Sequence, residues 1–258
     1  MNPHAATGLR ALAGIGEVRA ALQQKDNLCG PFHAARVLRD AGFDVDQDLI
    51  ALTAGTVLPD EDPQASVPTG AVSRRDYRVE LPLAAEPAVS GTAAADLAQA
   101  IEQVSRGELR CVPLRGEWSA ETVERLVDGA GDARLIANVR TGHFWGARPP
   151  LETLLRHLAG EEVDPPSHEW DVGHFVELVS LVRGAGGSLV VVCDSYPTFG
   201  WQAHHLQPPA AVAAALLRGD GREGGVLAVT DAADAARVEQ LAAELGLDVE
   251  TWDNGTRR

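Results

Sequence analysis

Cys29 stands in the run Gln23-Gln24-Lys25-Asp26-Asn27-Leu28-Cys29-Gly30-Pro31-Phe32, after a polar loop and at the start of an amphipathic stretch. A thiol at a helix N-terminus lies at the positive end of the helix dipole, where the thiolate form is favoured. Thiol catalysis also needs a base to hold the proton, a group to orient that base and a donor for the oxyanion. His174 opens an apolar run and Asp194 closes the next one, which makes them the base and its orienting carboxylate. Gln23, six residues before Cys29, offers a side-chain amide to the oxyanion beside the Cys29 backbone N–H. Trp201, Tyr196 and His143 are the candidates for substrate contact, with His204-His205 beside Trp201.

These side chains need elements to hold them. Phe32, Ala35 and Leu38 recur at helical spacing after Cys29, Pro31 falls in the first turn, and Gly42 is a stop signal. Phe175–Val182 and Leu189–Val192 are β-rich runs joined by Arg183-Gly184-Ala185-Gly186-Gly187-Ser188, which predicts an antiparallel hairpin. In such a hairpin the start of one strand lies beside the end of its partner, so His174 and Asp194 share a rim. A second Gly142-His143-Phe144 follows the strand-like Leu135–Val139 and makes His143 the rival base. His174 is preferred because a strand and then Asp194 follow it.

The rest of the chain reads as a helix over 9–22, a Pro-, Ser- and Asp-rich loop or lid over 56–90, and a helix over 92–105. A strand over Arg110–Leu114 and a Ser119-capped helix through Val127 come next, then a short helix at Leu151–Leu158. A helix over 209–217, a strand Val226–Val229, a final helix from about 231 to 245 and a tail strand within Val249–Trp252 complete it. The expected fold class is α+β in one domain over 1–258, with N-terminal helices packed on a C-terminal antiparallel sheet.

Of the 258 residues, 45% are hydrophobic, enough to bury a real core. The formal net charge of −15 argues against nucleic acid and anionic membrane as partners, since both demand basic footprints. No stretch approaches the roughly 20 apolar residues that span a bilayer, and no basic, then apolar, leader opens the chain. Three scattered cysteines make no disulfide framework. These features lead to an expectation of a cytoplasmic protein, and the Ala-, Gly- and Asp-rich composition with a single lysine reads as bacterial.

Gln23 before Cys29-Gly30, then Gly173-His174-Phe175-Val176 and Val192-Cys193-Asp194-Ser195-Tyr196-Pro197, resemble the papain-like cysteine peptidase superfamily. Two branches are similar: the C39-like bacteriocin-processing peptidases and phytochelatin synthase, whose order of Asp, Tyr-Pro, Trp and helix is similar to Asp194, Tyr196-Pro197, Trp201 and 209–217 here. The resemblance covers about 23–40 and 135–229. It implies a papain-like fold and acyl transfer through a thioester on Cys29, without a cofactor, on a peptide or small amide. Hydrolysis and transfer to an amine or thiol both stay open. A papain-like peptide-binding module without turnover is the alternative. The metal-capable His143, His168, Asp171, His174, Cys193 and Asp194 leave a zinc or nickel site as the minority reading.

Overall fold

The computed structural model describes residues 23–60, 67–84, 86–164, 166 and 170–256. The helix expected over 9–22 lies outside them. In chain order the elements are α1 (Cys29–Asp40), α2 (Gln47–Thr53), β1 (Leu58–Pro59), β2 (Leu83–Ala84), α3 (Ala94–Val104), β3 (Leu109–Leu114) and α4 (Ala120–Gly129). There follow β4 (Arg134–Arg140), α5 (Leu151–Leu158), β5 (Gly173–Arg183), β6 (Ser188–Cys193), β7 (His204–Gln207), α6 (Pro209–Leu217), β8 (Gly225–Asp231) and α7 (Ala235–Leu245).

The architecture is α+β. A six-stranded sheet runs in the order β3-β8-β4-β5-β6-β7, and every neighbouring pair is antiparallel. Helices cover both faces. Ile136, Phe175, Leu227 and Val229 face the side packed by α1 and α3. Ala137, Val176, Val190, Val192, Val226 and Ala228 face α4, α6 and α7. Strands buried on both faces lose the apolar–polar alternation of a half-exposed sheet, which explains the continuous Leu-Val-Val-Val run of β6.

The helix that carries Cys29 forms for local reasons. Asn27 turns the chain through a left-handed φ of 62°, a conformation asparagine tolerates. Phe32 N–H then donates to Leu28 C=O at 2.8 Å, closing the first turn, while Pro31 surrenders an N–H that no helix would use. Phe32, Ala34, Ala35, Val37 and Leu38 are buried, at roughly 1.5–3 kcal/mol for each large apolar side chain. The helix stops where Gly42 takes a φ of 94°.

Several expectations change. The described residues of the 56–90 segment form no free lid: β1 pairs with β2 in parallel, and 72–77 is strapped to the loop before Cys29. The tail forms no strand beyond a single bridge from Asp248 to Arg115, and Trp252 is instead buried in the α1–α3 core. The sheet recruits β3 from the first half, and α4 and α6 interleave with strands, so helices do not simply precede the sheet. Helix α2, capped by Asp46 accepting from Leu49 N–H at 3.0 Å, and strand β7 are additional elements.

Candidate active site

Cys29 is the first residue of α1 and is half-buried. Burial pushes its thiol pKa up. The facing His174 charge, a hydrogen bond with His174 and the backbone N–H groups of Phe175 and Gly30 outweigh that and bring it below the ordinary thiol value. The imidazole therefore comes from β5 and the amides from both sides of the thiol.

His174 begins β5 and Asp194 follows β6, and the hairpin register, shifted by one residue between Leu178 and Ser180, brings the two side chains together. Nε2 of His174 meets Asp194 Oδ1 at 3.3 Å, with both side chains buried. That leaves Nδ1 as the ring nitrogen for the Cys29 sulfur. Burial opposes charge on His174, but Asp194 and Cys29 prevail and raise its pKa to about 10. Burial likewise opposes the Asp194 carboxylate, yet His174 and the Tyr196 N–H at 3.0 Å lower its pKa to about 2. The arrangement favours a thiolate–imidazolium pair backed by a carboxylate.

Aromatic rings clamp the imidazole. Tyr196 stacks on it with ring centroids 6.0 Å apart and an interplanar angle of 20°. Trp170 meets it edge-on at 4.9 Å and also packs on Phe199. Tyr196 is therefore a buried wall against the His174 imidazole; its predicted contact with substrate is not available from the surface. Trp170 escaped the sequence reading because it sits in a coil with no periodic neighbour.

The two upstream glutamines divide. Gln23 donates its side-chain amide to Val72 C=O, away from the His174–Asp194 network. Gln24 is buried and bridges two distant segments: its Nε2 donates to Tyr196 Oη at 2.9 Å, and its Oε1 accepts from Ser195 Oγ at 2.5 Å. Ser195 Oγ, its proton committed to Gln24, lies 3.3 Å from His174 Nε2 and can accept from it. Gln24 thus ties the cysteine loop to the histidine side.

That loop is anchored by charge. Lys25 Nζ pairs with Asp48 Oδ2 at 2.5 Å, both buried, and donates to Asp76 C=O at 2.5 Å. Asp26 Oδ1 accepts from Arg74 N–H at 3.0 Å, and its Oδ2 accepts from Ser73 Oγ at 2.5 Å. Tyr77 Oη donates to Asp26 C=O at 2.8 Å. Two turns down α1 from Cys29, Arg36 pairs with buried Glu177 of β5 at 2.8 Å, and Arg134 joins the same carboxylate. Helix and strand are thereby pinned beneath the thiol and the imidazole.

The remaining predicted residues disperse. His143 is exposed at the end of β4, with Nε2 at 2.8 Å from Arg218 C=O; it is not among the groups that set Cys29 or His174. Trp201 is 48% exposed in the turn before β7, a position from which it can meet a ligand. His204 and His205 are buried, not cleft-lining; His205 Nε2 is 3.9 Å from Asp194 Oδ2 and supports the carboxylate from behind. Cys111 and Cys193 are buried, and burial raises both thiols, Cys193 to about 11. Among the described residues no three His, Cys, Asp or Glu side chains are grouped to hold a metal ion; His168 lies outside them. No helix among the described residues is long and apolar enough to cross a membrane.

A sequence family described as a family of unknown function, DUF6885, matches residues 8–253. No curated protein matches the chain.

Proposed function

The chain belongs to the DUF6885 family of unknown function, and we propose that it is a papain-like cysteine hydrolase or acyltransferase acting on an amide or peptide bond. The observation that supports this most is Cys29, at a helix start with a lowered thiol pKa, facing an imidazole that is itself held by a buried carboxylate. The Cys29 thiolate attacks the carbonyl carbon, and the C=O π electrons move onto the oxygen. His174, protonated, gives its proton to the leaving amine as the C–N bond breaks, leaving a thioester on Cys29. His174, now neutral, takes a proton from water, or from an amine or thiol acceptor, as that nucleophile bonds to the thioester carbonyl carbon. The C–S bond then breaks, the acyl group leaves on the acceptor and the Cys29 thiolate is restored. Asp194 orients His174 throughout. The Cys29 backbone N–H, at the positive end of α1, is the main-chain donor this reading assigns to the oxyanion. Gln23 can join it only by turning its amide from Val72 C=O.

An activated ester such as p-nitrophenyl acetate tests the acyl step without knowledge of the natural substrate. The expected outcome is a burst of nitrophenol approaching one equivalent per chain, with the acetyl group found on Cys29 by mass spectrometry. Cys29→Ala abolishes it. Acetylation spread over surface nucleophiles, unchanged in Cys29→Ala, contradicts the reading.

A further inference from the structure

We propose that Arg218 is a positioning residue for His174, held in a strained turn so that its guanidinium clamps the start of β5. The proposal rests on the reading of His174 as the base.

Helix α6 ends at Leu217, and Arg218 takes φ 64° and ψ −58°. Gly219 N–H donates to Leu217 C=O at 2.8 Å, which closes a γ-turn of the rare, strained hand around Arg218. A long side chain at such a centre is costly, and the adjacent Gly219 and Gly221 show that glycine is used freely in this loop. Strain of this kind persists where surrounding contacts over-determine it, and it concentrates at functional sites.

The contacts are on hand. The Arg218 side chain is buried. Its Nη1 donates to Asn138 Oδ1 at 3.0 Å, its Nη2 donates to Asp220 Oδ2 at 2.9 Å and its Nε donates to Asp220 Oδ1 at 3.2 Å. Asn138 sits in β4 opposite Phe175, and its Nδ2 donates to His174 C=O at 3.4 Å. Gly173 packs directly on the guanidinium: a Cβ there would lie 2.9 Å from Nη2. The Arg218 carbonyl in turn accepts from His143 Nε2 at 2.8 Å. Both Gly-His-Phe motifs therefore converge on Arg218, one by its glycine against the guanidinium and one by its histidine on the carbonyl. Asp220 neutralises the guanidinium, so what Arg218 transmits to His174 is position rather than charge.

The test measures the pH midpoint of Cys29 alkylation by iodoacetamide, read by mass spectrometry, in folded wild type, His174→Ala, Arg218→Gly and Gly173→Ala. Glycine adopts the turn without strain, so Arg218→Gly removes the clamp while sparing the backbone. The expected result is a midpoint about one pH unit higher and a roughly tenfold slower reaction at pH 6, with Cys111 and Cys193 still protected. Gly173→Ala, which pushes on the guanidinium from the strand side, shifts the midpoint in the same direction. Adding it to Arg218→Gly shifts the midpoint little further, because the two act through one contact. A wild-type midpoint in folded Arg218→Gly overturns the clamp. Should that variant fail to fold, a wild-type midpoint in Gly173→Ala does so. If wild type itself reacts like an ordinary thiol and His174→Ala changes nothing, the base reading falls, and the clamp falls with it.

Discussion

Asp194 holds His174 Nε2 at 3.3 Å in a setting where both side chains are almost wholly buried. A charged imidazole tolerates that burial only because the carboxylate is there. Asp194→Asn keeps the shape and removes the charge. The His174 pKa then falls, the thiolate loses its counter-ion, and Cys29 alkylation at pH 6 drops by roughly ten- to a hundredfold, one decade for each pKa unit lost. Rate measurements with iodoacetamide check this directly; an unchanged rate means that Asp194 merely caps the turn before Tyr196.

The same pair makes folding stability depend on pH. His174 has a raised folded-state pKa of about 10, so its contribution is complete below the unfolded value near 6.5 and is lost as pH rises toward 10. Asp194 has a depressed pKa of about 2, so its contribution is complete above roughly 4 and is lost as pH falls toward 2. The lowered folded-state pKa of Cys29 acts with the opposite sign and offsets the His174 loss below the unfolded thiol value near 8.5. Urea unfolding should therefore show wild type losing on the order of 1–2 kcal/mol only as pH rises from about 8.5 to 10, with a flatter profile in His174→Ala.

Helix α1 and the hairpin are legible from the sequence because burial gives β5 and β6 apolar runs joined by a turn. The one-residue register shift between Leu178 and Ser180, which decides the face Asp194 shares with His174, carries no signal in the apolar pattern. The choice between Gln23 and Gln24 is not legible. A loop has no period, and which glutamine turns inward depends on Ser195 and Tyr196, some 170 residues away. Strand β7 is hidden because its His204-His205-Leu206-Gln207 looks like a polar loop, yet its side chains pack behind Asp194. The strap at 72–77 has loop composition, and only the buried Asp26 reveals that it is tied down. Arg218 and Trp170 lie in coils, where spacing carries no signal.

The glutamines are separable by experiment. Gln24→Ala removes the tie between the Cys29 loop and the Ser195–Tyr196 segment and leaves Ser195 without its acceptor. It should lower both the thermal midpoint and Cys29 reactivity, costing about 1–3 kcal/mol of stability. Gln23→Ala should leave stability within about 0.5 kcal/mol of wild type and affect only the acylation rate with an activated ester. The reverse pattern would assign that tie to Gln23.

Lys25, the chain's single lysine, is committed to structure. Lys25→Met leaves the buried Asp48 carboxylate with Arg78 as its remaining cation and should cost about 1–3 kcal/mol. Loosening of the strap should accompany it, visible as faster proteolysis between Ser73 and Arg78 under native conditions. A wild-type melting curve for Lys25→Met would remove the anchor from the account.

The central claim is that Cys29 is a thiolate because His174 faces it. The pH dependence of iodoacetamide alkylation at Cys29, in wild type and in His174→Ala, tests it most directly. The account predicts a wild-type midpoint well below the ordinary thiol value of about 8.5 and a midpoint at or above that value in His174→Ala. Coincident profiles for the two proteins would contradict it.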